Sequence, residues 1–154
     1  MRLSRVSETE LLLQLGKQEK RSLLELLKLY PRLPATHQKL SKNSKVSESS
    51  QTLLREALQE QHSENKRQLE QLLFSPKRFH ETETGVRVSL SPSDLEWLLQ
   101  VLNDIRVGSW VRLGCPENKL DPLKEETVPD FWAMEISGLF QMQLLGLMNS
   151  MGQS

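Results

Sequence analysis

The stretch whose reading decides the fold is Ser91–Gly114, SPSDLEWLLQVLNDIRVGSWVRLG. Serine followed by proline, with Asp94 three residues on, marks a helix start. The hydroxyl accepts from a free backbone N–H, proline suits the first turn, and the acid reaches back. Leu95, Leu98, Leu102, Ile105 and Leu113 then recur on one helical face. Gly114 supplies the residue type that ends a helix. Upstream, Val86, Val88 and Leu90 alternate with Arg87 and Ser89, the pattern of a half-buried strand, and FHETETG before them reads as extended with a turn near Gly85.

Working outward, the N-terminus repeats this order. RLSRVSETEL at 2–11 matches RVSLSPSDL at 87–95 with a small offset. Residues 2–6 read as a strand, and Ser7 with Glu10 reads as the start of a first helix. Leu11, Leu12, Leu15, Leu23, Leu26, Leu27 and Tyr30 form its stripe, with KQEK as a solvent-facing break, and Pro31 and Pro34 stop it. Two strand-then-helix units follow, whose strands are expected to pair and cover each other's edges. Residues 35–51 are Ser- and Lys-rich and read as a flexible linker. A second helix is expected over about 52–74. Its middle, QEQHSENKRQ, has no apolar residue, although helical spacing carries the Leu58 face through His62 and Asn65 to Leu69. This middle either leaves the core, which is the expectation, or turns a polar patch inward. After a proline-rich loop, a fourth helix over about 129–149 is apolar nearly all round and is expected to be central or interfacial. The predicted fold is a single domain, residues 1–154, mainly α: a four-helix bundle with a two-stranded β element near 2–6 and 86–90.

Composition narrows the function classes. The chain has 154 residues, with 20 basic and 20 acidic side chains and no net charge. No global charge draws it to nucleic acid or membrane. Thirty leucines supply a core, and a single cysteine excludes a disulfide scaffold and a Cys-rich zinc site. No secretory leader and no membrane-spanning run is read, so a cytoplasmic location without membrane contact is expected. The charge is uneven: residues 1–77 carry +5 and residues 78–154 carry −5. Lys28, Arg32, Lys39, Lys42 and Lys45 form a basic arm within 28–45 that contains no acid. Such an arm suits phosphate or an acidic partner, although no interleaved aromatic offers base stacking.

One polar constellation falls in the deciding stretch. Arg106 projects onto the apolar face of its helix, with Asn103 on the shoulder and Asp104 nearly opposite. A buried guanidinium needs a partner, and Glu135 is the one charge well inside the fourth helix. A buried or half-buried Arg106–Glu135 pair is expected. It either fixes packing and register or, with Asn103 and Asp104, lines a site for an anion or a peptide terminus. Arg106 lying in solvent would remove both readings. His37, His62 and His80 lack metal spacing, and Cys115 has no local base. No catalytic motif and no cofactor loop is present in the sequence. Trp97, Trp110, Phe131, Trp132 and Phe140 all fall in the last two helices. With Trp97 projecting away from the core face, they are the expected interaction surface.

Leu102-Asn103-Asp104-x-Arg106, with Arg112-Leu113-Gly114 closing the same helix, resembles the signature helix of the bacterial DUF2017 family. The strand-then-helix opening, the proline break after the first helix and Trp132 early in the last are also similar. Trp110 stands where the family pattern has a small residue or glycine. The resemblance implies a regulator or adaptor and fixes no residue role. The reading is therefore a non-enzymatic cytoplasmic interaction protein, an adaptor or regulatory subunit, with a protein partner or self-association and no cofactor. The alternatives are a nucleic-acid-binding regulator using 28–45 and a ligand-sensing or enzymatic site around Arg106.

Overall fold

A computed structural model of the chain describes residues 1–33, 48–117 and 125–152. It contains four strands and four helices: β1 (Arg2–Arg5), β2 (Leu11–Gly16), α1 (Lys17–Leu27), α2 (Glu48–Leu73), β3 (Phe79–Thr82), β4 (Gly85–Leu90), α3 (Pro92–Arg112) and α4 (Val128–Gly152). The protein is mainly helical. The sheet is antiparallel and four-stranded, in the order β1-β2-β4-β3.

The sheet corrects the expected two-stranded element. LLLQLG, read above as the opening of a helix, is the central strand β2. Its Leu11, Leu13 and Leu15 are buried while Leu12 and Gln14 are half-exposed, a period of two. SETE is a hairpin connection in which the amides of Val6 and Ser7 both donate to the Glu10 carbonyl. The leucines satisfy helical and strand periods alike, and pairing to β1 and β4 decides between them. β1 and β4 therefore do not pair with each other; both flank β2. The first helix begins only at Lys17, inside the expected solvent break. Glu19 accepts from the Gly16 amide at 3.0 Å. At the far end of β2, Gly16 pairs with Gly85, where a Cβ on Gly85 would sit 1.9 Å from the Leu15 carbonyl oxygen. Only glycine fits so close an approach.

The deciding helix forms as read. Ser91 accepts from the Asp94 amide, Asp94 accepts from the Ser91 amide, and Gly114 leaves the helix at φ +88°. The core is shared between sheet and helices rather than made by a bundle of four helices alone. Leu3, Leu13, Val86 and Val88 on one side of the sheet meet Leu23, Leu26, Leu98, Leu102 and Ile105 of the helices in one buried cluster. The central helix is α3, which packs against α1, α2, α4 and β4. The fourth helix instead keeps one apolar side uncovered, with Leu139, Met142 and Leu145 at 47%, 70% and 48% exposure. Of the expected linker, residues 35–47 lie outside the described residues, and 48–51 are the first turn of α2.

Candidate functional site

The polar middle of α2 turns inward, against expectation. His62 and Asn65 are 8% and 4% exposed and face α3, His62 against Asp104, itself 8% exposed, and Asn65 against Gln100. Asp104 Oδ1 accepts from the backbone amides of Arg32 at 2.7 Å and Leu33 at 3.1 Å. Its Oδ2 lies 2.8 Å from His62 Nε2, a close contact at an angle outside hydrogen-bond geometry. The Tyr30 ring meets the imidazole edge-on, with centroids 5.7 Å apart. Asn65 accepts from Gln61 and donates to Gln100, and Lys66 Nζ donates to the Tyr30 carbonyl. Burial pushes the Tyr30 phenol up from its ordinary value; the Asp104 charge adds to this and the Asn65 hydrogen bond opposes it.

Asp104, Gly108 and Arg112 recur every four residues, so one line of α3 receives the chain leaving α1. A Cβ at Gly108 would lie 2.6 Å from the Arg32 carbonyl carbon and 2.7 Å from the Leu33 nitrogen, so the incoming backbone rests directly on the helix. The Arg32 guanidinium then pairs with Asp130 at the start of α4, and Arg112 Nε donates to the same carboxylate at 3.0 Å. Burial, followed by the neighbouring Arg112 charge, lowers the Arg32 value. Both Asp104 oxygens are engaged, and the cluster joins α1, α2 and α3, while His62 Nε2 and Arg32 Nε are buried without a hydrogen-bond partner. Gly108 and Asp130 were not picked out by the sequence, Tyr30 was read only as part of an apolar stripe, and His62 and Asn65 only as a polar patch that could turn inward. The one signal was the Leu58-to-Leu69 face, which passes through His62 and Asn65.

The expected Arg106–Glu135 pair does not form. Both residues are exposed. Arg106 Nε donates to Gln141 Oε1 at 3.0 Å, and a terminal nitrogen donates to Asn103 Oδ1 at 2.9 Å. The wheel projection misplaced Arg106 because α3 is buried on two sides. Leu98, Leu102 and Ile105 line one and Trp97, Asp104 and Gly108 the other, leaving Glu96, Gln100, Asn103, Arg106 and Trp110 as a narrow wet strip. Asn103 and Arg106 therefore share a surface, while Asp104 belongs to the interior.

The aromatic surface is corrected too. Trp97 is 8% exposed, its indole donating to Asp94 Oδ1 at 2.8 Å, and Phe140 is 5% exposed. Phe131 and Trp132 are half-buried. Trp110 is 37% exposed and donates to the Pro116 carbonyl. On α4 the uncovered apolar surface is aliphatic instead, and the most exposed aromatic among the described residues is Phe74, just after α2, at 83%. Leu139, Met142 and Leu145 border a groove of about 640 Å³ that runs along α4 between Arg106 and Glu135.

In the basic arm, Lys39, Lys42 and Lys45 lie outside the described residues. Arg32 is held by Asp130, and Lys28 pairs with Glu25. A different basic feature crosses the open face of the sheet. The register aligns Arg2, Gln14, Arg87 and His80 in one row over all four strands, and Arg2, Arg87 and His80 are exposed. Among the described residues, no group of three or more His, Cys, Asp or Glu is placed to hold a metal, and no helix is long and apolar enough to cross a membrane. Compared with protein-family models, with curated proteins and with solved structures, the chain matches none.

Proposed function

We propose that this protein is a non-enzymatic interaction protein, an adaptor or regulatory subunit acting in the cytoplasm, whose working surface is the outer side of α4. One observation carries the reading: three large aliphatic side chains stand in a row on one helix, largely uncovered, beside an exposed Arg106. Such a patch costs solubility unless something covers it. The charged groups of the interior, by contrast, are engaged in joining elements. The DUF2017 resemblance belongs to the same proposal and is supported by Leu102-Asn103-Asp104-x-Arg106, the part of α3 whose Asp104 takes the chain from α1. The test is affinity capture with wild type, Met142→Glu and, as a surface control, Glu96→Gln, each with nuclease. A stoichiometric protein held by wild type and Glu96→Gln but lost by Met142→Glu supports the reading. Equal capture by all three contradicts it.

A second reading rests on the row of Arg2, Gln14, Arg87 and His80. Two guanidiniums and an imidazole on a flat face, with no carboxylate in the row, suit a phosphate backbone. Binding of labelled duplex or single-stranded nucleic acid that weakens with salt and is lost in Arg2→Glu/Arg87→Glu supports it. No binding at low salt removes it.

A further inference from the structure

We propose that the outer side of α4 is a twofold interface between two copies of this chain, with α4 packed antiparallel on α4 about an axis at Met142. This rests on the reading of α4 as the working surface and names its occupant.

The spacing carries the proposal. Gly138, Leu139, Met142, Leu145 and Gly146 stand at −4, −3, 0, +3 and +4 about Met142. In an antiparallel twofold pair, a residue k positions before the axis meets the residue k positions after it in the other copy. Leu139 of one copy then meets Leu145 of the other, and Gly138 meets Gly146. The two leucines are equally uncovered, at 47% and 48%, and the axial methionine is the most exposed of the three, at 70%. Gly146 has nothing within 4 Å of a built Cβ, and Gly138 has only the Arg106 Cδ, at 3.4 Å. The backbone of a second helix can approach closely at Gly146, and on the Gly138 side it meets the Arg106 side chain, which lies across that glycine and donates to Gln141.

Charge selects the orientation. A parallel pair sets Glu135 against Glu135 of the other copy, two carboxylates in contact, and aligns the two helix dipoles. The antiparallel pair sets Glu135, seven positions before the axis, against Asn149, seven after it, and opposes the dipoles. Glu135, Leu139, Met142, Gly146 and Asn149 also alternate by four and three, the seam of a two-helix contact. This seam is about 21 Å long at 1.5 Å per residue. It is smaller than a standard interface of about 800 Å² per partner, so association on the order of micromolar is expected.

The test is sedimentation velocity of the purified full chain from micromolar to sub-millimolar concentration, with far-ultraviolet circular dichroism to establish folding. Wild type is expected to show a reversible monomer–dimer equilibrium. Met142→Glu buries two charges at the axis and should raise the dissociation constant at least about 100-fold. Gly146→Trp, at an exposed position where a Cβ has open space, should raise it about tenfold or more. Glu135→Gln should change it less than about threefold in the antiparallel pair; in a parallel pair it would tighten binding by relieving repulsion. A wild-type monomer at every concentration overturns the proposal, as does a dimer indifferent to both Met142→Glu and Gly146→Trp. If wild type is monomeric yet Met142→Glu still loses a captured protein, self-association falls and the adaptor reading stands. If the dimer forms but nothing is captured, the reverse holds.

Discussion

The contact between α2 and α3 and the outer side of α4 are opposite departures from apolar-in, polar-out. The first buries His62, Asn65 and Asp104; the second exposes Leu139, Met142 and Leu145. Yet in the first, Asp104 and Asn65 are paired within the fold. Asp104 holds two backbone amides and faces an imidazole, and Asn65 has a donor and an acceptor. Its polarity serves to seat the chain leaving α1. The second is open, for nothing among the described residues covers it. A buried polar group with its partners in place speaks of assembly of the fold, whereas an apolar side chain without them speaks of assembly with something else.

The comparison breaks most severely at Asp104. Asp104→Leu strands two buried amides and an imidazole, and should cost about 3–5 kcal/mol in urea unfolding. Gly108→Ala presses a methyl group into the Arg32–Leu33 backbone and should cost about 1–3 kcal/mol. Asp94 sharpens the contrast from the side of charge. Burial pushes its carboxyl up, but the Ser91 amide, the Trp97 indole and Arg78 outweigh it and hold it below its ordinary value. A carboxylate depressed in the folded state contributes stability that is complete above its unfolded value. That stability is lost as pH falls through the folded one. Urea midpoints should therefore drop on acidification below about pH 4, and the drop should be shallower in Asp94→Asn, which loses about 1 kcal/mol at neutral pH. On α4 the effects should be smallest. Met142→Glu should move the stability of the dilute monomer by less than about 0.5 kcal/mol. Gly146→Ala should raise it by about 0.5–1 kcal/mol, because the added methyl group meets nothing.

Two copies of one sequence pattern show what was legible in the chain and what was not. Ser91-Pro92-x-Asp94 was read as a helix cap and is one, because proline preorganises the first turn and the residues beyond it repeat at helical period alone. Ser7-x-x-Glu10 carries the same hydroxyl and acid but turns a hairpin, with the Thr9 amide donating to the Ser7 hydroxyl. LLLQL fits both periods, and only the neighbouring strands select one. Arg106 and Asp104 exchanged their expected places for a related reason. A helix buried on two sides has no single apolar face from which to project, and the second side is set by α2 and the 31–33 segment, which lie far off in sequence. His62 and Asn65 were visible as a polar break in an apolar line, but their partners were not. The uncovered α4 side was foreshadowed by a helix apolar all round, though its exposed members proved aliphatic rather than aromatic.

The most direct test of the central claim is disulfide cross-linking in a Cys115→Ser background. With Met142 on the axis and Glu135 facing Asn149, Met142→Cys and the double variant Glu135→Cys/Asn149→Cys should form covalent dimers under mild oxidation, while Glu135→Cys alone should stay monomeric. Cross-linking of Glu135→Cys alone, or of none of the three, would contradict it.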